Sequence, residues 1–273
     1  LRRRENREQL RRWRTLTPLA YFREIRGRFD DAGIGLSAYN QSFKDHFSDA
    51  EIERGFEITL ALGAPAITSS ANMNAVPRIA RVAERVGMPV AMHNHSRVDP
   101  NEFSSPDDFD KAISLGGAAP IAVNLDIGHM VAANHDPLAY LRANYQRVVT
   151  LHLKDRTRDQ GPNVPWGEGD APIRETLELL RDEMQKKATT FWPIIKTGRT
   201  HLQDATPIRL GQEFQGYVGQ AERSIKRARQ ALDEMSEVAL GGTAVGTGVG
   251  TNRQFAPKVI VKLSKLTGVK LRE

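Results

Sequence analysis

Short apolar runs alternate with helical patterns over the first two thirds of the chain. Five of these runs are rich in β-branched and aliphatic residues, as strands are: 34–39, 65–70, 89–95, 121–129 and 148–155. Between them, apolar residues recur at helical spacing, and several of these segments open on Ser, Asp or Pro, which helix starts prefer. This alternation predicts an α/β fold with parallel strands joined by helical crossovers.

The pattern changes after residue 182, and we place a boundary there between a first part, 1–182, and a second part, 183–273. After a short "FWPII" run, one long helical pattern covers 207–240. Its apolar positions are spaced by three and four residues throughout: Leu210, Phe214, Tyr217, Ala221, Ile225, Ala228, Leu232, Met235 and Ala239. A seam of this length predicts packing in a helix bundle or against a second copy of the chain.

A glycine-rich stretch, "GGTAVGTGVGTN", follows the long helical pattern and precedes a last amphipathic stretch, "FAPKVIVKLSKLTG". The glycines resemble those of a phosphate-binding loop, but the strand and the GK[ST] sequence that such loops require are missing. The pattern therefore favours a mobile or tightly packed connection.

The composition is that of a soluble globular protein, with 40% hydrophobic and 26% charged residues among 273. No run approaches the roughly 20 apolar residues that cross a membrane, and no segment has the pattern of a signal peptide. We therefore expect no membrane partner and a cytoplasmic location. The absence of cysteine excludes disulfides and thiolate ligands, so His, Asp and Glu must hold any metal.

The net charge is +6, and arginines concentrate at the start of the chain, in "LRRRENREQLRRWR". Glu5 and Glu8 alternate with these arginines at helical spacing, which predicts a solvated helix face. No basic groove interleaved with aromatic residues accompanies the charge, so we expect no nucleic-acid partner. The first residue is Leu1 rather than methionine, and we expect a missing upstream segment.

Side chains able to bind metal recur near the ends of three consecutive strand patterns. Alternate residues of a strand face the same way, so His93 shares a face with His95. The same rule places Asp126 on the next strand, and His152 with Lys154 on the one after. A single histidine there would ordinarily be a hydrogen-bonded structural residue, but in α/β folds ligands bind at the carboxyl ends of the strands. Together these side chains predict a nitrogen and oxygen ligand set for Mn, Co, Mg or Zn.

Four motifs in order, "GMPVAMHNH", "VNLDIGH", "VVTLHLKDR" and "GPNVPWGEGDAPI", resemble those of the xylose isomerase-like barrels, the sugar phosphate isomerase/epimerase group. The similarity covers residues 13–182. It implies an eight-stranded (β/α) TIM barrel in which a Glu, an Asp, a His and a second Glu hold a divalent metal. It also implies isomerisation or epimerisation of a sugar or sugar-like polyol, in which the metal polarises adjacent oxygens while acid-base groups move a proton.

The resemblance assigns roles position by position. Asp126 and His152 match the Asp and His metal ligands, and His93 stands where many members have the first Glu. The catalytic candidates on the substrate side are His95, His129, Lys154 and Glu168. The loop "WGEGD", which contains Glu168, is implied to lie over the sugar.

The first part is shorter than a full barrel of this kind requires. About 250 residues and eight strands form such a barrel, whereas five strand patterns precede residue 182. We expect the first one or two strands to be absent, and the last strands, with the second Glu ligand, to be replaced by the second part. The predicted fold class is therefore α/β: a partial TIM-like (β/α) barrel with parallel strands, followed by a mostly α-helical segment with one long helix.

The second part carries a different resemblance. "IIKTGRTHLQDATPIRLGQEFQGYVGQ" and "ALGGTAVGTGVGT" resemble the class II fumarase/aspartase superfamily, over residues 191–273. The resemblance implies that Thr200 and His201 contact the carboxylates of a fumarate-like substrate, and that the long helix belongs to the central bundle of a homotetramer. A helix entrance with partial positive charge suits an anion beside His201, although Thr200 and Asp204 could equally cap the helix. The flexible "SSxMPxKxN" loop of these lyases is missing.

The sequence thus predicts a chimera of two families, joined near residues 183–190. The leading function is divalent-metal-dependent isomerisation or epimerisation of a sugar or sugar-like polyol, impaired by the missing strands. The alternatives are a lyase that hydrates fumarate or removes ammonia from aspartate, and a chain without catalysis whose long helix only oligomerises. The expected partners are a small molecule, either a sugar or a dicarboxylate, and further copies of the chain through residues 207–240.

Overall fold

The computed structural model describes residues 4–201 and 203–272. The chain divides between Ile173 and Arg174 into two compact units, here called the first and the second unit. The first is a curled parallel half-barrel with its helices, and the second is mostly helical, so the predicted fold class is confirmed. The predicted boundary after residue 182 falls inside the helix Ile173–Thr190 and stays a prediction.

The first unit contains seven of the described α-helices. They are α1 Arg4–Leu16, α2 Leu19–Asp31, α3 Asp49–Leu62, α4 Val76–Val86, α5 Pro106–Gly116, α6 Ile127–Ala132 and α7 Pro137–Asn144. Single turns of 3₁₀ helix cover Met73–Ala75 and Tyr145–Arg147. The strands are β1 Tyr39–Asn40, β2 Ile67–Ser69, β3 Val90–His93, β4 Ile121–Asp126 and β5 Val148–His152, followed by the short pair β6 Asp155–Arg156 and β7 Asn163–Val164.

Strands β1 to β5 lie side by side in chain order, and every neighbouring pair is parallel. The parallel sheet predicted from the alternating pattern is therefore present. The register pairs His93 with Asn124, and Asp126 with His152. The carboxyl ends of β3, β4 and β5 consequently meet at one end of the sheet.

The core of the first unit lies on both faces of the central strands. All residues of β3 and all but one of β4 are buried, which is typical of parallel strands covered by helices. The largest fully buried side chains are Phe43, Phe56, Phe103, Phe109, Ile52, Ile58, Ile67, Ile79, Met92, Leu125, Ile127 and Met130. His93 and Asp126 are the last residues of these two strands, and both are themselves buried.

Two crossover helices begin with reciprocal caps. The Ser48 hydroxyl accepts from the Glu51 backbone N–H at 3.2 Å, and the Glu51 carboxylate accepts from the Ser48 backbone N–H at 2.8 Å. Ser105 and Asp108 form the same arrangement before α5. Such caps satisfy backbone donors that a helix start leaves without partners, which explains why these helices begin where the polar residues predict.

The charged face of α1 is less solvated than predicted. The Arg14 side chain is only 17% exposed and lies 3.6 Å from the carboxylate of Glu51, whose side chain is 2% exposed. Arg11 lies 3.3 Å from the same carboxylate. The prediction of a solvated face is therefore wrong for Arg14, which the buried acid in α3 draws inward while its stem packs. Arg11 pairs with the same acid, but its side chain remains 47% exposed, as predicted. Glu8 is exposed, and the side chain of Glu5 lies outside the described residues.

The strands of the first unit are shorter than predicted, for local reasons. The run 34–39 pairs with β2 only at its last residue. Strand β4 ends at Asp126, because that carboxylate caps α6 by accepting from the His129 backbone N–H at 2.8 Å. Strand β5 ends at His152, and the next short strand pairs antiparallel with β7 instead. The predicted strands over 121–129 and 148–155 were therefore too long.

The second unit begins with the helix α8, Ile173–Thr190, whose first residue closes the first unit. It continues through β8 Ile195–Thr200, β9 Gln203–Arg209, α9 Leu210–Met235 and α10 Phe255–Thr267. Among the described helices of either unit, none is long and apolar enough to span a membrane.

The long helix is shorter than the predicted span of 207–240. It begins at Leu210 and ends at Met235, and the residues before it form β9, which is antiparallel to β8. Pro207 lies opposite Thr197 in this two-stranded pair, where proline is tolerated because an edge position needs no N–H partner. The prediction was wrong here because "TPI" extends readily once a partner strand is available.

The residues predicted at the helix entrance lie on the β8–β9 hairpin. His201 is in the turn, with a φ of 50°. Thr200 pairs with Gln203 and Arg199 with Asp204, and the Arg199 Nε lies 3.3 Å from the Asp204 Oδ1. The predictions that Thr200 or Asp204 caps the long helix, and that His201 stands at its positive end, were therefore wrong.

The predicted apolar seam of α9 is covered only in part. Ala221 and Ile225 of the seam are buried, as is Val218, which the predicted seam did not include. Tyr217 is exposed in the first half of the helix, and Leu232 and Met235 are exposed in its last turns, so the carboxyl-terminal end presents apolar surface.

The connection between α9 and α10 uses the conformational freedom of glycine. Positive φ angles, which residues other than glycine rarely adopt, occur at Gly241, Gly246, Gly248 and Gly250. The Gly248 N–H donates to the Gly242 carbonyl at 2.9 Å. These contacts describe a turn-rich connection.

Candidate metal centre

Three strand ends bring together the residues predicted to hold a metal. His93, Asp126 and His152 are the last residues of β3, β4 and β5. One ligand atom from each lies within 4.8 Å of those of the other two. The ring centroids of His93 and His152 are 4.7 Å apart, so the parallel register alone delivers this cluster.

Asp126 is the buried centre of the cluster, with a fully buried side chain. Its backbone N–H donates to the Asn94 Oδ1 at 2.8 Å, and its carbonyl accepts from the Asn94 Nδ2 at 3.0 Å. The Oδ1 accepts from the His129 backbone N–H. The Oδ2 is buried without a directed hydrogen bond, although the Lys154 Nζ lies 2.7 Å away as an ion pair and the His152 Nδ1 lies at 3.6 Å. The charge of this oxygen is therefore balanced by the Lys154 ammonium rather than by a directed hydrogen bond, and a divalent cation would bind the oxygen in place of that ammonium.

His93 is held in its neutral form. The pKa of His93 is lowered to about 4, chiefly by burial and in smaller part by the neighbouring His95 and His152, while Asp126 partly opposes the shift. Burial also lowers the pKa of His95, whose ring centroid is 4.9 Å from that of His93. Both imidazoles are therefore neutral near pH 7, the state in which a ring nitrogen binds metal or accepts a proton.

His129 lies on α6 rather than on a strand, with its ring between two cations. Its Nδ1 is 2.6 Å from the Arg156 Nη1, and its Nε2 is 3.2 Å from the Lys154 Nζ. The pKa of His129 is lowered to about 4, chiefly by burial and in smaller part by Lys154, His95 and Arg156, against the effect of Asp126. A ring that faces cations on both sides is poorly placed to bind a third.

Two overlapping trios of described residues are close enough to share an ion: His93 with Asp126 and His152, and His93 with His95 and His129. The first trio supplies a carboxylate that would balance part of the charge of a divalent ion. The second supplies only imidazoles, one of which contacts Arg156 and Lys154. The donor set of two imidazoles and one carboxylate therefore fits a divalent metal at the first trio.

A buried carboxylate organises the loop that carries Glu168. Asp155, 2% exposed, accepts from the backbone N–H groups of Gly167 at 2.7 Å, Gly169 at 3.1 Å and Ala171 at 3.1 Å. A Cβ on Gly169 would lie 2.3 Å from the Asp155 Oδ1, so glycine is required there. Glu168 itself is exposed, and neither trio among the described residues includes it.

The structure thus brings together six of the nine predicted site residues: His93, His95, Asp126, His129, His152 and Lys154. Thr200 and His201 belong to the second unit, where both are exposed on the β8–β9 hairpin. The supporting residues Asn94, Asp155 and Arg156 were not predicted. All three stand inside the quoted motifs, and their position directly beside predicted site residues was the available signal.

A curled parallel half-barrel with histidines and an aspartate at its strand ends defines a (β/α)-barrel protein with a metal-capable centre. A family model of the xylose isomerase-like TIM barrel matches residues 6–186. The chain belongs to the xylose isomerase-like TIM barrel family. The Xylose isomerase domain protein from Planctomyces limnophilus has a similar fold, with a TM-score of 0.50 and 18% identity over 60% of this chain and 71% of that one.

The second unit has a separate likeness. A lyase family model matches residues 169–273. Class II fumarate hydratase from Neisseria meningitidis is 53% identical over 93 residues, which are 34% of this chain and 20% of the relative. Mitochondrial fumarate hydratase from Danio rerio is 54% identical over 93 residues, 34% of this chain and 18% of the relative. The chain spans about a fifth of the length of these relatives, and the predicted combination of two families is confirmed.

Proposed function

We propose that the first unit binds a divalent metal through His93, Asp126 and His152 and isomerises or epimerises a sugar or sugar-like polyol. The observation that carries the proposal is the buried Asp126 Oδ2, which lacks a directed hydrogen bond and lies beside two histidines at the strand ends. Two nitrogens and one oxygen favour Mn, Co or Zn over Mg.

The surroundings of the trio suit proton transfer to and from a bound polyol. When bound, a divalent ion polarises adjacent oxygens of such a substrate. His95, neutral because burial lowers its pKa, accepts a proton from carbon or oxygen near the trio. Lys154 and His152 have side chains 38% and 45% exposed, so the substrate approaches from this open side. Lys154 then binds a substrate oxygen as a cationic donor.

Metal binding is tested by thermal unfolding of the whole chain with Mn or Co. At 100 times its dissociation constant, an ion that binds only the folded state stabilises it by about 2.7 kcal/mol. We expect this stabilisation in the unchanged chain and its loss in His152→Ala. His46→Ala is the matched control, since His46 is exposed and its ring packs on Phe47. A chain that does not respond to either ion contradicts the proposal.

A fumarase-type lyase is the second candidate, supported by the 53% identity of the second unit to a fumarate hydratase segment. Hydration of fumarate by this unit would remove the ultraviolet absorbance of the substrate. If Thr200 and His201 contact the substrate, His201→Ala abolishes this loss, whereas His135→Ala in the first unit preserves it. Because the chain covers about a fifth of the relatives, absence of turnover at every concentration of the protein eliminates this candidate.

We also infer association between copies of the chain through α9. Leu232 and Met235 are 45% and 57% exposed and lie one turn apart on the helix, so they form one apolar edge. We expect a multimer by light scattering, and a lower mass for the double variant Leu232→Glu and Met235→Glu, because each introduced charge must be desolvated in the interface. The control places Glu at Leu115, a residue of α5 that is 45% exposed. A monomeric unchanged chain contradicts this inference.

A further inference from the structure

Arg156 is a buried arginine that the proposed reaction does not use. It belongs to β6 and is 9% exposed. Its Nε donates to the Gly161 carbonyl at 3.0 Å, and its Nη1 donates to the Ser96 hydroxyl at 2.9 Å. A further donor, Nη2, lies 3.5 Å from the Gln160 carbonyl. The guanidinium is therefore fixed by groups that are independent of the histidine cluster.

The same guanidinium reaches the histidine cluster at one atom. Its Nη1 is 2.6 Å from the Nδ1 of His129. Arginine only donates hydrogen bonds and stays charged in proteins. The Nδ1 must therefore be the acceptor, and the single proton of a neutral imidazole must be on Nε2.

Lys154 is the other cation beside this ring, but His129 cannot also accept a hydrogen bond from it. A neutral imidazole has one acceptor nitrogen, whereas the Lys154 Nζ lies 3.2 Å from the Nε2 of His129. Lys154 instead pairs with the negative charge of the Asp126 Oδ2, an ion-pair contact of 2.7 Å. Arg156 is closer to the ring than Lys154, and its guanidinium is held by more hydrogen bonds. We therefore assign the acceptor nitrogen of His129 to Arg156.

We propose that Arg156 is a positioning residue that fixes His129 as its Nε2–H tautomer. Held in this way, His129 presents an N–H rather than a lone pair to the site. It is not a metal ligand, and the trio of His93, His95 and His129 does not hold an ion. The role we assign to His129 rests on the proposed function: it donates a hydrogen bond from Nε2 to an oxygen of the bound polyol.

The tautomer is read directly by nitrogen NMR of the metal-free chain. The protein is labelled with ¹⁵N-histidine, treated with EDTA and held near pH 7, and the His129 signals are assigned by their loss in His129→Gln. We expect a protonated Nε2 and an unprotonated Nδ1 in the unchanged chain. A protonated Nδ1, a mixture of tautomers or a doubly protonated ring overturns the proposal, and this measurement needs no folded arginine variant.

Two variants separate Arg156 from its neighbours. Arg156→Met removes the donor to Nδ1, and we expect the single tautomer to give way to a mixture. Ser96→Ala removes another partner of the guanidinium and should leave the tautomer unchanged. A pure Nε2–H tautomer in a folded Arg156→Met chain assigns the effect to another group and also overturns the proposal.

Cobalt titration tests the exclusion of His129 from the ligand set. His129→Gln should keep the cobalt affinity within about threefold of the unchanged chain, while His93→Gln should lower it by more than about tenfold, at least the loss typical of an outer-shell partner. Equal losses in the two variants contradict the exclusion. If the unchanged chain binds no cobalt, the proposed function fails while the NMR result still decides the tautomer.

Discussion

Asp126→Asn should lower the affinity of the chain for Mn or Co by more than about 100-fold, beyond the 10- to 100-fold loss typical of an outer-shell partner. The substitution keeps the shape of the side chain, but it removes the negative charge and replaces one carboxylate oxygen by an NH₂ group that cannot bind a metal. The Oδ2 is the cluster oxygen that has no directed hydrogen bond, so nothing else in the trio replaces it. Isothermal titration with each ion measures the change.

The same substitution should leave the fold intact. Asparagine is as good a helix N-cap as aspartate, so the cap on α6 through the His129 backbone N–H is retained. The Asn94 contacts use the backbone of residue 126 and are also retained. A circular dichroism spectrum equal to that of the unchanged chain, together with lost metal affinity, is the expected pair of results. Unchanged affinity would show that the ion binds elsewhere.

Asp155→Ala should destabilise the loop of residues 165–171 by about 4 kcal/mol. Three backbone N–H groups, those of Gly167, Gly169 and Ala171, donate to this one carboxylate. A hydrogen bond to a charged group contributes about 1.5–3 kcal/mol, and three bonds to one group are not additive. The backbone N–H of the exposed Arg158 donates to the Asp170 Oδ2 at 2.8 Å, so opening of the loop also releases Arg158. Trypsin cleavage after Arg158, measured over time, therefore reports the opening.

Glu168→Ala is the matched control, because Glu168 lies in the same loop with an exposed side chain. An exposed substitution of this kind changes stability by no more than about 0.5 kcal/mol, so its cleavage rate should match that of the unchanged chain. Equal rates in Asp155→Ala and Glu168→Ala would contradict the role of Asp155 as the anchor.

The sheet and the site were predictable from the sequence because both follow from strand periodicity. Strand–helix alternation fixes a parallel sheet, and a parallel sheet brings the carboxyl ends of its strands together. His93, Asp126 and His152 therefore meet as soon as their strands are placed, whatever the exact strand limits. The error of three residues at the end of β4 did not affect this result, since Asp126 is the residue at which the strand ends.

The supporting contacts were not predictable, because they join atoms that are far apart along the chain. Asp155 binds N–H groups 12 to 16 residues away, and Arg156 reaches Ser96 across 60 residues. The β8–β9 hairpin was missed for a related reason. Its second strand has a spacing that also suits a helix, and only pairing with residues 195–200 decides between them.

Strand β5 lies at the edge of the sheet, and β4 is its one strand partner in the described chain. It carries His152, whose neighbours across the ladder are all on that single side. Local opening is cheapest where backbone hydrogen bonds are exposed, so this edge should separate from β4 well before the buried strands do. An ion bridging Asp126 and His152 would tie the edge to its buried neighbour. Release of the ion and detachment of the strand would then be one event, and the lifetime of the bound metal would be set by how often the edge of the sheet opens.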